Sequence, residues 1–226
     1  GGWTYIEIKA TINDTTGAIE ARCNGETKLN LTNIDTKNGI GGADCDAIEF
    51  RGVEGGTATG ESTYYDDIYI CDTTGSVNND FLGPLKIEDL VPDAAGNTTD
   101  WSPKTPGNPN YGEVDETPTN FDSTYIHSNT TGDKDTYTLV DLSYIDDTII
   151  GIQVDLVSRL EDAATQYTIA GVARSSTSET VGSGELITVT SYVLQGAHTP
   201  IDTDPNGGGA FTVSSINALE AGLEVL

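Results

Sequence analysis

Two stretches of this 226-residue chain gather oxygen-rich side chains. The first is Asp66-Asp67, followed by Asp72 and by the run Asn78-Asn79-Asp80. A hard cation such as Ca2+ takes roughly six to eight oxygen ligands, which makes Asp66, Asp67 and Asp72 the candidate calcium ligands. Their spacing does not follow an EF-hand loop. If they lie on a strand, adjacent residues point to opposite faces, so at most one of the pair enters a single site. The plainer expectation is that one Asp accepts from loop amides while the other is solvated. The second stretch, Asp133-Lys134-Asp135 after Asn129-Thr130-Thr131-Gly132, reads as a cation loop or as a polar hairpin tip.

Catalytic constellations are weaker. His127 and His198 are the two histidines, and neither lies near a G-x-S-x-G nucleophile motif. A glycosidase needs two carboxylates converging across a cleft. Here Glu49 and Glu54 are separated by Gly52, while Glu7 and Glu20 lie on outward faces of neighbouring strands. No enzymatic activity is expected. The aromatic residues suggest contact instead: Trp3, Tyr65, Trp101 and Tyr111 are the candidates for sugar stacking or an assembly interface, against strand packing as the ordinary use of such rings. Sequons at Asn13, Asn30, Asn97 and Asn129 matter only in a eukaryotic secretory pathway.

Composition limits the class. A net charge of -26 disfavours nucleic acid and anionic membranes as partners, because both are polyanions. It suits a saline medium or a crowded particle surface that must not aggregate. With 26 glycines and abundant Thr, Asn and Asp, the chain favours turns and strands over helices. Cys23, Cys45 and Cys71 are an odd number and lack metal-binding spacing, so reduced, structural thiols are expected. The sequence reads without a signal peptide, membrane-length apolar run or coiled-coil heptad, and none is expected from it. The absence of Met and the opening Gly1-Gly2 suggest a processed product, a fragment or the ordered part of something longer.

The elements that must position these residues are strands. Trp3 to Ile12 alternates, with Ile6, Ile8, Ala10 and Ile12 on the face expected to be buried and Glu7, Lys9 and Thr11 opposite. Ala18 to Cys23 alternates again. Asn24-Gly25 is a hairpin signal, because both residues tolerate positive φ, and Glu26 to Leu31 returns. Further strands are predicted near Ala47 to Gly52 and Tyr64 to Cys71, completing a five-stranded meander. Residues 93–120, rich in Pro and Gly, read as an ordered joint in which Trp101 and Tyr111 are buried. A second unit is predicted with strands at 123–127, 136–142, 148–157, 166–173 and 185–194. A helical turn is then expected within Ser214–Glu220, and a last strand at Leu223–Leu226.

A family pattern accompanies these elements. Trp3-Thr4-Tyr5-Ile6-Glu7-Ile8-Lys9, Thr16-Gly17, Cys23-Asn24-Gly25 and Tyr65-Asp66-Asp67-Ile68-Tyr69-Ile70-Cys71-Asp72 resemble the later strands of concanavalin A-like, laminin-G-like sandwiches. With Asn79-Asp80-Phe81-Leu82-Gly83-Pro84, the Trp101 segment, Val114-Asp115-Glu116, Asp122-Ser123-Thr124-Tyr125-Ile126 and Val213 to Val225, the chain resembles structural proteins of tailed bacteriophages. Such a sandwich has several strands before the Trp3 strand. Their absence implies either further polypeptide or a neighbouring subunit that completes the sheet.

The resemblance implies an all-β protein of two antiparallel, jelly-roll-like β-sandwich units. These would be residues 1–92, a partial concanavalin A-like sandwich, and residues 121–226, joined by 93–120. It implies a virion structural role as tail fibre or head decoration, extracellular after release, with a contribution to host attachment. The partners expected are other copies of itself, other virion proteins and a host glycan, with no cofactor beyond a candidate Ca2+. The alternative is a calcium-assisted carbohydrate-binding module of a secreted or cell-surface protein.

Overall fold

A computed structural model describes residues 2–37, 48–50, 63–73, 76–144, 148–195 and 200–226. The chain divides into two units, Gly1–Ile87 and Glu88–Leu226, and it is all-β, with several antiparallel sheets.

The first unit holds one three-stranded sheet, β1 (Ile6–Thr11), β2 (Gly17–Cys23) and β3 (Glu26–Ile34), in the order β1-β2-β3. The β2–β3 hairpin turns at Asn24 (φ 49°) and Gly25 (φ 81°), the positive-φ pair that a type I′ turn needs. Two residues past the end of β1, the Asn13 side-chain oxygen accepts from the amides of Thr15 and Thr16 and so fixes the turn into β2. Of the strand expected near Ala47 to Gly52, residues 48–50 are described and lie outside any strand; the Gly52–Gly60 loop, Glu54, Cys45 and His198 fall outside the described residues.

Tyr64 to Cys71, expected as a strand, belongs to no ladder. Asp67 adopts φ 51°, a left-handed conformation open to Asp, and its carboxylate takes the Ile87 amide at 2.8 Å. That kink interrupts the alternation from which a strand was inferred.

The second unit is built on a six-stranded antiparallel sheet. Its strands are β4 (Pro92–Thr99), β7 (Lys134–Leu139), β9 (Tyr167–Ser175), β10 (Ser178–Val181), β11 (Glu185–Ile187) and β13 (Leu219–Val225). Two small ladders accompany it: β5 (Ser102–Pro103) with β6 (Ile126–His127), and β8 (Leu156–Ser158) with β12 (Val193–Gln195). The main order is β10-β9-β13-β7-β4, with β11 also on β9. The expected joint therefore belongs to this unit, because β4 pairs with β7.

The predicted terminal strand is longer than expected and central. β13 pairs with β9 on one side and β7 on the other. A Cβ on Gly222 would stand 1.9 Å from the Asp135 carbonyl oxygen, so only glycine admits the close approach of β7. Helix α1 (Val213–Asn217) precedes it, capped by Thr212, which shares a reciprocal capping box with Ser215. The long strand expected at 148–157 reduces to β8 and an isolated bridge between Ile152 and Ile201. Apolar packing gathers in two clusters, one around Trp101, Tyr137, Ile169, Ile187 and Val225, the other around Phe211, Ile216 and Leu219.

Candidate functional site: an apolar sheet face and the polar face behind it

Cross-strand partners share a face of a sheet. In the first unit Ile6 pairs with Cys23, Ile8 with Ala21 and Ala10 with Ile19, while Ala21 pairs onward with Leu29 and Ile19 with Leu31. These residues make one continuous apolar face. The opposite face carries Glu7, Lys9, Glu20 and Arg22. Sequence reasoning assigned the apolar face to the interior, and the structure leaves its large outer-strand side chains exposed. Ile6 is 62% exposed and Ile8 70%, whereas Glu7 between them is 5% exposed. Leu29 and Leu31 are exposed as well. Among the described residues of this unit the buried positions are Glu7 and Gly17, and every buried apolar side chain belongs to the second unit.

The burial of Glu7 has a local cause. Tyr69 and the segment Asp80–Gly83 lie against the polar face around it. Glu7 Oε1 accepts from the Tyr69 hydroxyl at 2.5 Å and from the Gly83 amide at 3.0 Å. Tyr5 donates to the Gly83 carbonyl, and its oxygen lies 3.1 Å from that of Tyr69. Phe81 receives the Arg22 guanidinium 3.8 Å from its ring centroid, and Lys9 pairs with Asp80 at 2.9 Å. Burial pushes the Glu7 carboxyl up, but the hydrogen bonds from Tyr69 and Gly83 outweigh it and hold it below the usual carboxylate value. Burial, and then the hydrogen bond to Glu7, raise the Tyr69 hydroxyl. This is the electrostatics of a clamp: an ionised carboxylate held by a protonated phenol and a backbone amide.

The calcium candidates do not converge. Asp66 accepts from the neighbouring Asp67 amide at 2.9 Å, Asp67 accepts from Ile87, and Asp72 is exposed. Among the described residues no group of three His, Cys, Asp or Glu side chains stands close enough to hold a metal ion. The second candidate loop is occupied by protein donors. Asp133 accepts from Ser128 at 2.5 Å, and Lys134 bridges Glu179 and Glu224.

Asp135 is instead the polar hub of the second unit. Fully buried, it accepts the Asp100 and Trp101 amides on Oδ1 at 2.7 and 2.8 Å. Its Oδ2 accepts Asn110 Nδ2 at 2.5 Å and the Tyr137 hydroxyl at 2.8 Å. Burial, followed by the charge of Asp135, pushes the Tyr137 hydroxyl well above its ordinary range. Trp101 is thereby locked into the core, as expected for this segment, and its ring is not an exposed platform. Tyr111 packs against the same cluster. Of the four glycan or interface candidates, Trp3 (72% exposed) and Tyr65, which meets Phe50 at 5.1 Å, remain at the surface.

A surface aromatic pair escaped sequence reasoning. Phe121, half-exposed and at φ 55°, meets Tyr192 at 5.1 Å between ring centroids. Asp122 accepts from Arg159 and from the Tyr192 hydroxyl, each at 2.8 Å, and Arg159 first, then Tyr192, lower its carboxyl. The partners lie 70 residues apart, and no local pattern joins them.

With this geometry in hand the chain was compared with family models, curated proteins and solved structures. None of them matches.

What the arrangement can do follows from its chemistry. The Glu7–Tyr69–Gly83 clamp and the Asp135 hub hold backbone in place. An exposed apolar sheet face would gain free energy if buried against another apolar surface.

Proposed function

We propose that this chain is a non-enzymatic structural module of an assembled particle, a tailed-phage tail fibre or head decoration, and that the β1–β3 sheet is its assembly surface. One observation carries the reading: Ile6, Ile8, Leu29 and Leu31 on the apolar face of the sheet are exposed, while Glu7 on the opposite face is buried. Contiguous exposed apolar patches larger than a few hundred Å2 mark interaction sites. Ordering a strand costs about 1–2 kcal/mol per residue in backbone entropy, and apolar burial against a partner is the ordinary source of compensation. The sandwich arrangement implied by the resemblance fits this picture, because a half-sandwich needs a second sheet over its apolar face. The phage assignment rests on the resemblance described above. The charge supports a particle surface, since copies at high local density repel everywhere except at their contacts.

The test is direct. Purified particles from a culture producing this polypeptide are digested and their peptides identified by mass spectrometry. Recovery of this chain at a fixed stoichiometry to the major capsid or tail proteins is expected. Its absence from washed particles refutes the assignment.

The carbohydrate-binding reading draws on one specific feature, the Phe121–Tyr192 pair flanked by Asp122 and Arg159. An exposed ring beside paired polar groups suits a sugar. On a glycan array this reading expects binding that Phe121→Ala abolishes.

A further inference from the structure

We infer that a buried water molecule bridges Ser158 and Gln195 beneath the β8–β12 ribbon, and so seats the two strands that lead to Arg159 and Tyr192. The site stands whether the chain is a virion module or a sugar binder.

Register places the two polar side chains together. Ser158 pairs with Val193, and Leu156 with Gln195, across the antiparallel ribbon. Cross-strand partners share a face, and so do residues two apart on one strand. Leu156, Ser158, Val193 and Gln195 therefore lie on one side of the ribbon, with Val157 and Leu194 on the other. Burial agrees with this assignment. Gln195 is 6% exposed and Leu156 packs against the Trp101 cluster, whereas Leu194 points to solvent. The inner face thus sets a hydroxyl and an amide oxygen beside apolar side chains.

Ser158 Oγ and Gln195 Oε1 are both buried, and neither has a hydrogen-bond partner among the described residues, so they do not bond to each other. Buried polar groups in folded proteins are nearly always satisfied, by protein or by ordered water. Diagonal positions across a strand pair stand about 7–8 Å apart. Serine is too short to close that gap, and the longer glutamine spans part of it. One water, with hydrogen bonds of about 2.8 Å on either side, spans the rest.

Chemistry selects water over other occupants. Gln195 Oε1 only accepts, whereas the Ser158 hydroxyl both donates and accepts. Water donates to the amide oxygen and accepts from the hydroxyl at once. A cation would find two neutral oxygens here, too few ligands for a hard ion and no charge among them to offset its own. An apolar occupant would leave both oxygens unsatisfied.

The seat of the ribbon matters for what the ribbon carries. Arg159 follows Ser158 and Tyr192 precedes Val193, and the guanidinium lies 5.1 Å from the tyrosine ring centroid. Both side chains donate to Asp122, beside the Phe121 ring that meets Tyr192. The bridge is therefore the floor under the exposed aromatic pair.

The test joins a high-resolution crystal structure of the full chain to a double-mutant cycle. The crystal structure is expected to show one water within hydrogen-bond distance of both atoms. Urea midpoints are compared for the parent, Ser158→Ala, Gln195→Met and the two substitutions together. Each single substitution should lower the midpoint, because the water and the remaining group lose a bond. The double variant should fall short of the sum of the singles by at least about 0.3 M, since one water serves both groups.

No water at the site, a direct Ser158–Gln195 hydrogen bond, or a donor from the chain itself at Gln195 Oε1 overturns the inference. So does a midpoint that rises in Gln195→Met, the result expected when an acceptor without a partner is removed. Additive midpoints overturn it as well, because groups that share no water do not couple. If either substitution unfolds the chain, the crystal structure of the parent decides alone.

Discussion

Replacing Asp135 with Ala tests whether one carboxylate organises the second unit. The substitution removes the acceptor of four hydrogen bonds: the Asp100 and Trp101 amides, the Asn110 amide and the Tyr137 hydroxyl. Each buried donor left without a partner costs about 1–3 kcal/mol. Asn110 also donates to the Trp101 carbonyl at 2.8 Å, and the Tyr137 hydroxyl can turn, so these two recover part of their loss. The Asp100 amide also donates to the Lys134 carbonyl at 3.0 Å, so the Trp101 amide is the one left without such an alternative. A destabilisation of about 4 kcal/mol follows, a large share of an ordinary domain's 5–15 kcal/mol. Asp135→Asn keeps the shape and one carbonyl oxygen, but it sets an NH2 group against the Asn110 NH2, and it should cost about 1–3 kcal/mol. Urea unfolding, followed by Trp101 fluorescence in a Trp3→Phe background, reads the second unit, since Trp3 is exposed and Trp101 buried. With a slope near 2 kcal/mol per M, Asp135→Ala should lower the midpoint by about 2 M and Asp135→Asn by roughly half that or less. A midpoint for Asp135→Ala within about 0.5 M of the parent would refute the hub.

Three further outcomes follow from the same geometry. Gly222→Ala should unfold the second unit or cost it more than about 3 kcal/mol, because its methyl group would overlap the Asp135 carbonyl between two paired strands; thermal melts check this. Thr212→Ala should lower stability by about 1 kcal/mol in the same assay by removing the α1 cap. Glu7 has a folded pKa below its unfolded value, so it stabilises the first unit above an unfolded pKa of about 4.3 and loses that contribution as pH falls through the lower folded value. Acid titration followed by tyrosine absorbance should therefore show the first unit loosening below about pH 4, with Glu7→Gln flattening the dependence.

The parts of the fold written in local pattern were legible in the sequence. Asn24-Gly25 announces its hairpin because its turn is decided by two residues. The alternation of β1 and β2 correctly separates two faces. Which face lies inside is not a local property. It is decided by Tyr69 and Gly83, 62 and 76 residues from Glu7, whose donors make a buried carboxylate tolerable. The strand inferred at Tyr64–Cys71 failed at Asp67, where a long-range bond to Ile87 stabilises a left-handed residue. β13 was underestimated because its glutamates and Gly222 disguise a central strand. Glu220 meets Arg174 and Glu224 meets Lys134, pairings visible only once the sheet is assembled. The carboxylate pair Asp66-Asp67 was conspicuous in sequence, yet each side chain is tied to a loop amide. The Phe121–Tyr192 patch left no mark in the sequence at all.

The outward apolar face of β1–β3 is the proposed contact surface of this chain. The most direct measurement is the solution mass of the whole chain as a function of concentration, with and without EDTA, beside Ile8→Glu. If that face is a contact surface, association grows with concentration, ignores EDTA and disappears in Ile8→Glu. A chain monomeric at every concentration, or an assembly that EDTA dissolves and Ile8→Glu leaves intact, would contradict it.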